Sequence, residues 1–285
     1  MPDAVGRSLR SPRVLVALGM ALCISICAIF AGRLAPHDPA EQNLLAILTP
    51  PAWARGGDAT YPLGTDSLGR DVLSRLIYGA RTAMIVAFCA STGAMIIGTV
   101  LAHIAGYFGG AIDWIIGRLV DVWMSFPPVI LSLILMVGLG VGLDRVILAI
   151  VLVDWTRFCR VLRSEVLIVT RQDYVAAARL LGFTHWQTII REVFPATLPL
   201  LITLLSLEMA IAVVVEAILS FVGLGVGANE VAWGQMIADA RQYVYQSPWN
   251  LLMPMLCIFL TVAAFNLLGD GLRRTLDVRL AETGR

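Results

Sequence analysis

The chain has 285 residues, 58% of them hydrophobic and 14% charged, where a soluble domain carries roughly 25% charged residues. With a mean hydropathy of +0.81, an ordinary soluble fold is excluded and a polytopic membrane protein is expected. The net charge of +1 excludes a body built to bind nucleic acid or another strongly charged partner.

All of the positive charge is arginine, for the sequence contains no lysine. A Walker A loop needs a lysine to reach the β- and γ-phosphates of a nucleotide. Any ATP that drives this protein must therefore be hydrolysed by a separate chain, and no cofactor of its own is expected.

A bilayer core of roughly 30 Å takes about 20 apolar residues per helix. Six stretches approach that length: 14–32, 82–106, 122–141, 146–168, 198–222 and 249–268. The first follows Arg7, Arg10 and Arg13, is longer than the apolar run of a secretory signal and lacks an A-x-A site, so it is predicted to be an uncleaved anchor. An all-α membrane protein with six transmembrane helices follows. Arginine is disfavoured on the translocated side. An inside N-terminus leaves fourteen of the arginines in cytoplasmic segments, Arg118, Arg157, Arg160 and Arg163 among them, and seven outside. Both termini are thus expected in the cytoplasm.

The first outside loop opens with Pro36, Pro39, Pro50 and Pro51 and reads as irregular chain. Its last part, 71–81, aligns Val72, Leu73, Leu76 and Ile77 on one helical face and is predicted to lie on the membrane surface before the second span. The nearby Asp66, Ser67, Arg70 and Asp71 read as a capped, ion-paired surface helix, since no base or metal set accompanies them. Phe126, Pro127 and Pro128 mark a helix entry or kink.

The inside loop 170–195 is the most informative. Thr170 with Asp173 and Thr184 with Gln187 have capping-box spacing, Gly182 between them suits a left-handed C′ position, and Pro195 is expected to limit the second helix. Ala176, Ala177 and Ala178 are small enough for a partner to approach the backbone closely. Ionisable residues within spans are functional candidates, which singles out Asp154, Glu208 and Glu216 as candidates for the translocation pathway. The two glutamates lie about 80° apart around a helix and can face one cavity; bonding to neighbouring helices is the alternative. His103 is expected to be solvated or hydrogen-bonded. The five cysteines fall in apolar stretches without zinc-like spacing, so no metal site is expected.

The loop 170–195 resembles the EAA signature of ABC importer permeases, through Tyr174, Ala176, Ala177, Ala178, Gly182, Ile190, Pro195 and Pro199. Where the signature usually has glutamate this chain has Ala176, so no single ion pair to an ATPase is expected there. Six further blocks look like the second permease subunit of dipeptide, oligopeptide and nickel importers: GTDSLGRDVLSR at 64–75, GYFGG at 106–110, DVWMSFP at 121–127, LSFVGLG at 219–225, WGQM at 233–236 and AFNLLGDGLR at 264–273. The resemblance implies a type I ABC importer permease fold in the bacterial inner membrane. It implies as partners a second homologous permease, two cytoplasmic ATP-binding subunits and an extracytoplasmic substrate-binding protein, with membrane lipid around the spans.

ATPase coupling would fall to Asp173, Tyr174, Ala176, Ala177, Ala178, Gly182, Arg191 and Pro195. The expected divisions are 1–81 for the tail, first span and outer loop, 82–271 for the permease core, and 272–285 for a cytoplasmic tail. Short peptides are the expected substrate, with a nickel chelate as the alternative. A secondary transporter would require inverted repeats with interrupted helices. A membrane hydrolase would require a nucleophile beside a base, whereas His37, His103 and His185 sit in separate segments. The chain is therefore not expected to be an enzyme.

Overall fold

The computed structural model describes residues 12–227 and 230–276. Among these residues the regular structure is helical, apart from one isolated antiparallel bridge between Thr65 and Asp71. Arg7, Arg10, Arg279 and Arg285, which contributed to the expected charge asymmetry, lie outside them, as do residues 277–285 of the expected tail.

The helices in chain order are α1 (Pro12–Ile29), α2 (Ala31–Leu34), α3 (Val72–Phe108), α4 (Gly110–Met124), α5 (Pro128–Leu139), α6 (Leu143–Val169), α7 (Asp173–Leu180), α8 (His185–Thr188), α9 (Phe194–Phe221), α10 (Trp233–Ala240) and α11 (Pro248–Leu276). Three helical stretches are long and apolar enough to cross a membrane: Val72–Phe108, His185–Phe221 and Pro248–Arg273. The bent pair α4 and α5 makes a fourth if taken as one span. Three of the six expected spans, 82–106, 198–222 and 249–268, are thus clear among the described residues by length and composition. Helix α6 has the length but carries Asp154, Arg157, Arg160 and Arg163 within its run, and the apolar part of α1, Leu15–Ile29, is short.

Three expectations about local structure need correction. Residues 71–81 are not a separate surface helix: α3 starts at Val72, where Asp71 caps it by accepting from the Ser74 amide at 3.0 Å, and runs unbroken to Phe108. Val72 and Leu76 are buried, not laid on a membrane surface. The third expected span is interrupted at Ser125, Phe126 and Pro127, where the chain bends by 85° between α4 and α5. The kink expected at those prolines is present; Pro128 opens α5 because its missing N–H is no loss in a first turn. Finally, Pro195 does not limit a helix. Helix α8 continues through a π-helical turn (Ile189–Val193) into α9, whose first turn holds Pro195.

The loop 35–71 is irregular, as expected, and is tied to the bundle by side-chain bonds. Asp66 accepts from the amides of Leu68 and Arg70 at 2.9 Å, from Arg70 Nε at 2.7 Å and from Arg75 Nη1. Arg70 also reaches Asp239 on α10 at 3.2 Å, and the Asn250 amide donates to Thr65 O at 2.9 Å. Arg75 is only 2% exposed, so its charge is held by Asp66 and Asp239. The expected capped and ion-paired arrangement is present, but in the interior.

Packing is densest between α3 and α6, where glycines let the backbones meet. A Cβ on Gly98 would lie 2.5 Å from Trp155 O and 3.0 Å from Cys159 N, and one on Gly106 would lie 2.7 Å from Val166 Cγ1. Without lipid–water segregation to drive helices together, close approach of this kind is what holds them. Likewise Gly79 leaves room for the Trp233 indole, whose Nε1 donates to Leu76 O at 3.0 Å. Because the obstruction at Gly98 is backbone, Gly98→Val forces α3 and α6 apart at a cost above the roughly 1–3 kcal/mol of ordinary overpacking. The purified variant is expected to melt at a lower temperature than the parent, whereas Gly117→Val, with open space at its Cβ, leaves the melting temperature nearly unchanged.

Candidate functional site

At one end of the bundle the chain builds a small platform from residues 170–195. Thr170 is not an N-cap: it closes α6, and its hydroxyl donates to Leu167 O at 3.2 Å. The first helix, α7, is preceded instead by Gln172 without a side-chain bond. Its end has the expected glycine turn. Gly182, at φ +89°, donates to Arg179 O at 3.0 Å, and Phe183 to Ala178 O at 3.2 Å, the paired bonds of a Schellman motif. The second expected box is complete: the Gln187 amide donates to Thr184 Oγ1 at 3.3 Å while the Thr184 amide donates to Gln187 Oε1 at 2.9 Å.

Val175, Ile189 and Val193 pack with Tyr107 of α3 and Val166 and Val169 of α6 into a cluster of their own. The Tyr107 hydroxyl and His185 Nδ1 are 3.1 Å apart, and the Arg179 guanidinium sits 4.8 Å from the Tyr107 ring centroid. The platform is therefore fixed to the ends of α3 and α6. Its outer face is open. Asp173, Tyr174, Ala176, Ala177, Gly182, Arg191 and Pro195 are exposed, together with Leu180 at 89% and Trp186 at 59%. Ala178 is buried, so the small-residue face consists of Ala176 and Ala177. Partial burial, and then the carboxylates of Glu192 and Glu165, push the Tyr174 phenol above its ordinary range.

The second feature is a set of charges inside the bundle. Asp154 on α6 and Glu208 on α9 are buried and face each other, and Arg157 lies between them, with Nη1 3.3 Å from Glu208 Oε1 and Nη2 3.8 Å from Asp154 Oδ1. Arg157 is about a third exposed. Glu216 has different company: it is enclosed, 1% exposed, and accepts from Ser220 Oγ at 2.6 Å. His103 ties α3 to α9, with Nδ1 2.8 Å from Thr99 O and Nε2 3.2 Å from Thr197 Oγ1, in line with the hydrogen-bonded alternative.

Arg157, Arg160 and Arg163, counted with the cytoplasmic segments in the charge asymmetry, all belong to α6. Arg160 Nη2 donates to Asp121 Oδ1 at 3.0 Å, and Arg163 makes a two-point contact with Asp113, its Nη2 at 2.6 Å. Sequence reasoning missed these partners. The available signal was four charges within a stretch otherwise long enough to span, at spacings of three residues, in a medium where unpaired charge is costly.

Residues 74–282 match the family described as binding-protein-dependent transport system inner membrane component, and residues 3–51 match the N-terminal TM domain of oligopeptide transport permease C. The chain is 39% identical over 259 residues to the di/tripeptide transport system permease protein of Pseudomonas aeruginosa, covering 91% of this chain and 86% of that protein. It is 40% identical over 273 residues to the dipeptide transport system permease protein of Escherichia coli (96% and 91% covered). To the nickel transport system permease protein of Escherichia coli it is 36% identical over 273 residues (96% and 95% covered).

The Arg157 cluster generates a stability test. Removing one partner from a buried ion pair leaves an uncompensated charge, at a cost on the order of 3 kcal/mol. Arg157→Gln, which abandons two buried carboxylates, is expected to lower the melting temperature of the purified permease. Adding Glu208→Gln removes one of them and is expected to recover part of that loss, measured by thermal unfolding in the same detergent.

Proposed function

This chain belongs to the binding-protein-dependent transport system inner membrane component family, and from that premise we propose that it is one permease half of an ATP-binding-cassette importer for short peptides. Its partners in this reading are a second homologous permease, two cytoplasmic ATP-binding subunits and an extracytoplasmic binding protein. Six spans are formed by α1, α3, the bent pair α4 and α5, α6, α8 with α9, and α11, with both termini in the cytoplasm of a bacterial inner membrane. Residues 1–81, 82–271 and 272–285 divide the chain into anchor with outer loop, permease core and tail.

The single observation that supports this mechanism best is the outer face of residues 170–195. Leu180, Leu181, Trp186 and Ile190 are all more than half exposed there, and an apolar patch on a platform of short helices beyond the ends of the spans is the mark of a protein contact. In this reading Asp173, Tyr174, Ala176, Ala177, Gly182, Arg191 and Pro195 meet the ATPase, and Ala178 holds the platform from beneath. Because the platform is packed on the ends of α3 and α6, a push on it is passed to both helices. Asp154 and Glu208, gathered at the half-open Arg157, belong beside the pathway; Glu216, closed off with Ser220, is assigned to packing. The peptide substrate is carried over from relatives named for dipeptides and tripeptides. Nickel-chelate import is the second reading, favoured by the nickel relative.

Ala177 is exposed, so Ala177→Trp has room in this chain and its bulk acts on the partner alone. Gly182→Val places a β-branched residue at positive φ, a strain of about 1–2 kcal/mol, and distorts the turn between α7 and α8. Both variants are expected to insert and to pair with the second permease, and to lose ATPase co-purification and substrate-stimulated hydrolysis. A variant complex with the ATPase bound and normal stimulated turnover would remove residues 170–195 from the coupling role.

The orientation has its own test. Asp58 is exposed on the outer loop, its carboxylate accepting from the Thr60 amide at 2.9 Å. Asp58→Cys is expected to react with a membrane-impermeant maleimide in intact cells; protection until the cells are opened would invert the topology.

A further inference from the structure

Arg157, Arg160 and Arg163 follow one another at intervals of three along α6, about 4.5 Å apart along the axis at 1.5 Å per residue, and each is matched by acid from another helix. Arg157 meets Glu208 of α9, Arg160 meets Asp121 of α4, and Arg163 meets Asp113 at the start of α4. The lower two rungs line a cleft of about 430 Å³ between α4 and α6, which also takes in Trp114 and Cys159. That volume is within the range of small-ligand pockets, roughly 300–1,000 Å³. The guanidiniums are not sealed: the side chains of Arg157, Arg160 and Arg163 are 31%, 54% and 33% exposed.

The arrangement restricts what can use it. Arg163 pairs with Asp113, Arg160 shares Asp121 with Arg118, and Arg157 serves both Asp154 and Glu208, so a bare cation or a bare anion would compete for one member of a rung and strand the other, which is costly. A solute carrying both signs can exchange with both members of a rung at once, its carboxylate taking the two-pronged guanidinium and its ammonium the released Asp or Glu. The rungs also differ in height, so a solute leaving one finds another paired guanidinium within a helical turn. Binding that is neither absent nor deep at successive positions is what passage requires.

We propose that the paired arginines of α6 form a ladder of exchange sites for the free carboxylate and ammonium groups of a zwitterionic peptide on its way through the cytoplasmic half of the permease. The proposal rests on the importer reading above and sharpens it, since it favours a zwitterion over a bare metal ion.

The test uses the complete transporter, with its binding protein and ATPase, reconstituted in liposomes and supplied with radiolabelled alanyl-phenylalanine. Two neutral double substitutions are made, Arg160→Gln with Asp121→Asn and Arg163→Gln with Asp113→Asn. Each removes one charge of either sign and leaves amides able to bond across the same gap. Both complexes are expected to assemble in parental yield while initial uptake falls about tenfold or more, the loss expected of a missing hydrogen bond to a charged group. Arg163→Lys, which keeps the charge without the fork, is expected to fall between. Parental uptake by both doubles would overturn the ladder, as would failure of both to assemble, since the pairs would then be purely structural. A parental transporter that imports nickel and no dipeptide would overturn the peptide reading itself, and the ladder with it.

Discussion

At Gly98, α3 lies so near α6 that one added carbon would sit 2.5 Å from the carbonyl of Trp155. Gly106 repeats the approach toward the other end of the same pair. With that face of α6 committed to α3, its remaining circumference is left for other company, and the arginines fall there. Their acids come from α4 and α9. The small-residue contact thus orients the charged side of α6 without touching any charge. The same helix pair carries the platform at residues 170–195, so the platform and the charged row share one support.

Charge supplies the second constraint. A bilayer offers no water to an ionised group in a span, so such groups either pair or face a water-filled space. Both solutions occur here. Arg75 is enclosed with Asp66 and Asp239, and Arg160 is paired while still half exposed. The first arrangement fastens the loop 35–71 to the bundle; the second leaves a pair open at the surface.

Much of this was legible in residue order because the relevant signals are local. Helical apolar runs, the Thr184 and Gln187 box, the left-handed Gly182 and the break at Phe126 to Pro128 depend on a few neighbouring residues, and they stand in the structure. The errors came where two local rules competed or distance intervened. Thr170 has capping spacing to Asp173, but it is already engaged in closing α6. Pro195 can break a helix, yet here the π-helical turn Ile189–Val193 just before it carries the helix past the missing N–H. The segment 71–81 looks amphipathic because one face is buried by Trp233, more than 150 residues later in the chain. The pairing of Arg157 was out of reach for the same reason: its partner Glu208 lies 51 positions away. A charge excess counted along the chain cannot distinguish a flank from an ion-paired interior.

The fastening of the loop 35–71 has a consequence for biosynthesis. Arg70 meets Asp239 at a separation of 169 positions, and Asn250 meets Thr65 at a separation of 185. Neither bond can form until the ribosome has passed most of the chain. The N-terminal third therefore waits in the membrane with Asp66, Arg70 and Arg75 only partly matched, and the loop closes as α10 and the start of α11 arrive. A nascent chain stopped before residue 239 keeps the local Asp66 pairs but cannot fasten this loop to α10 and α11.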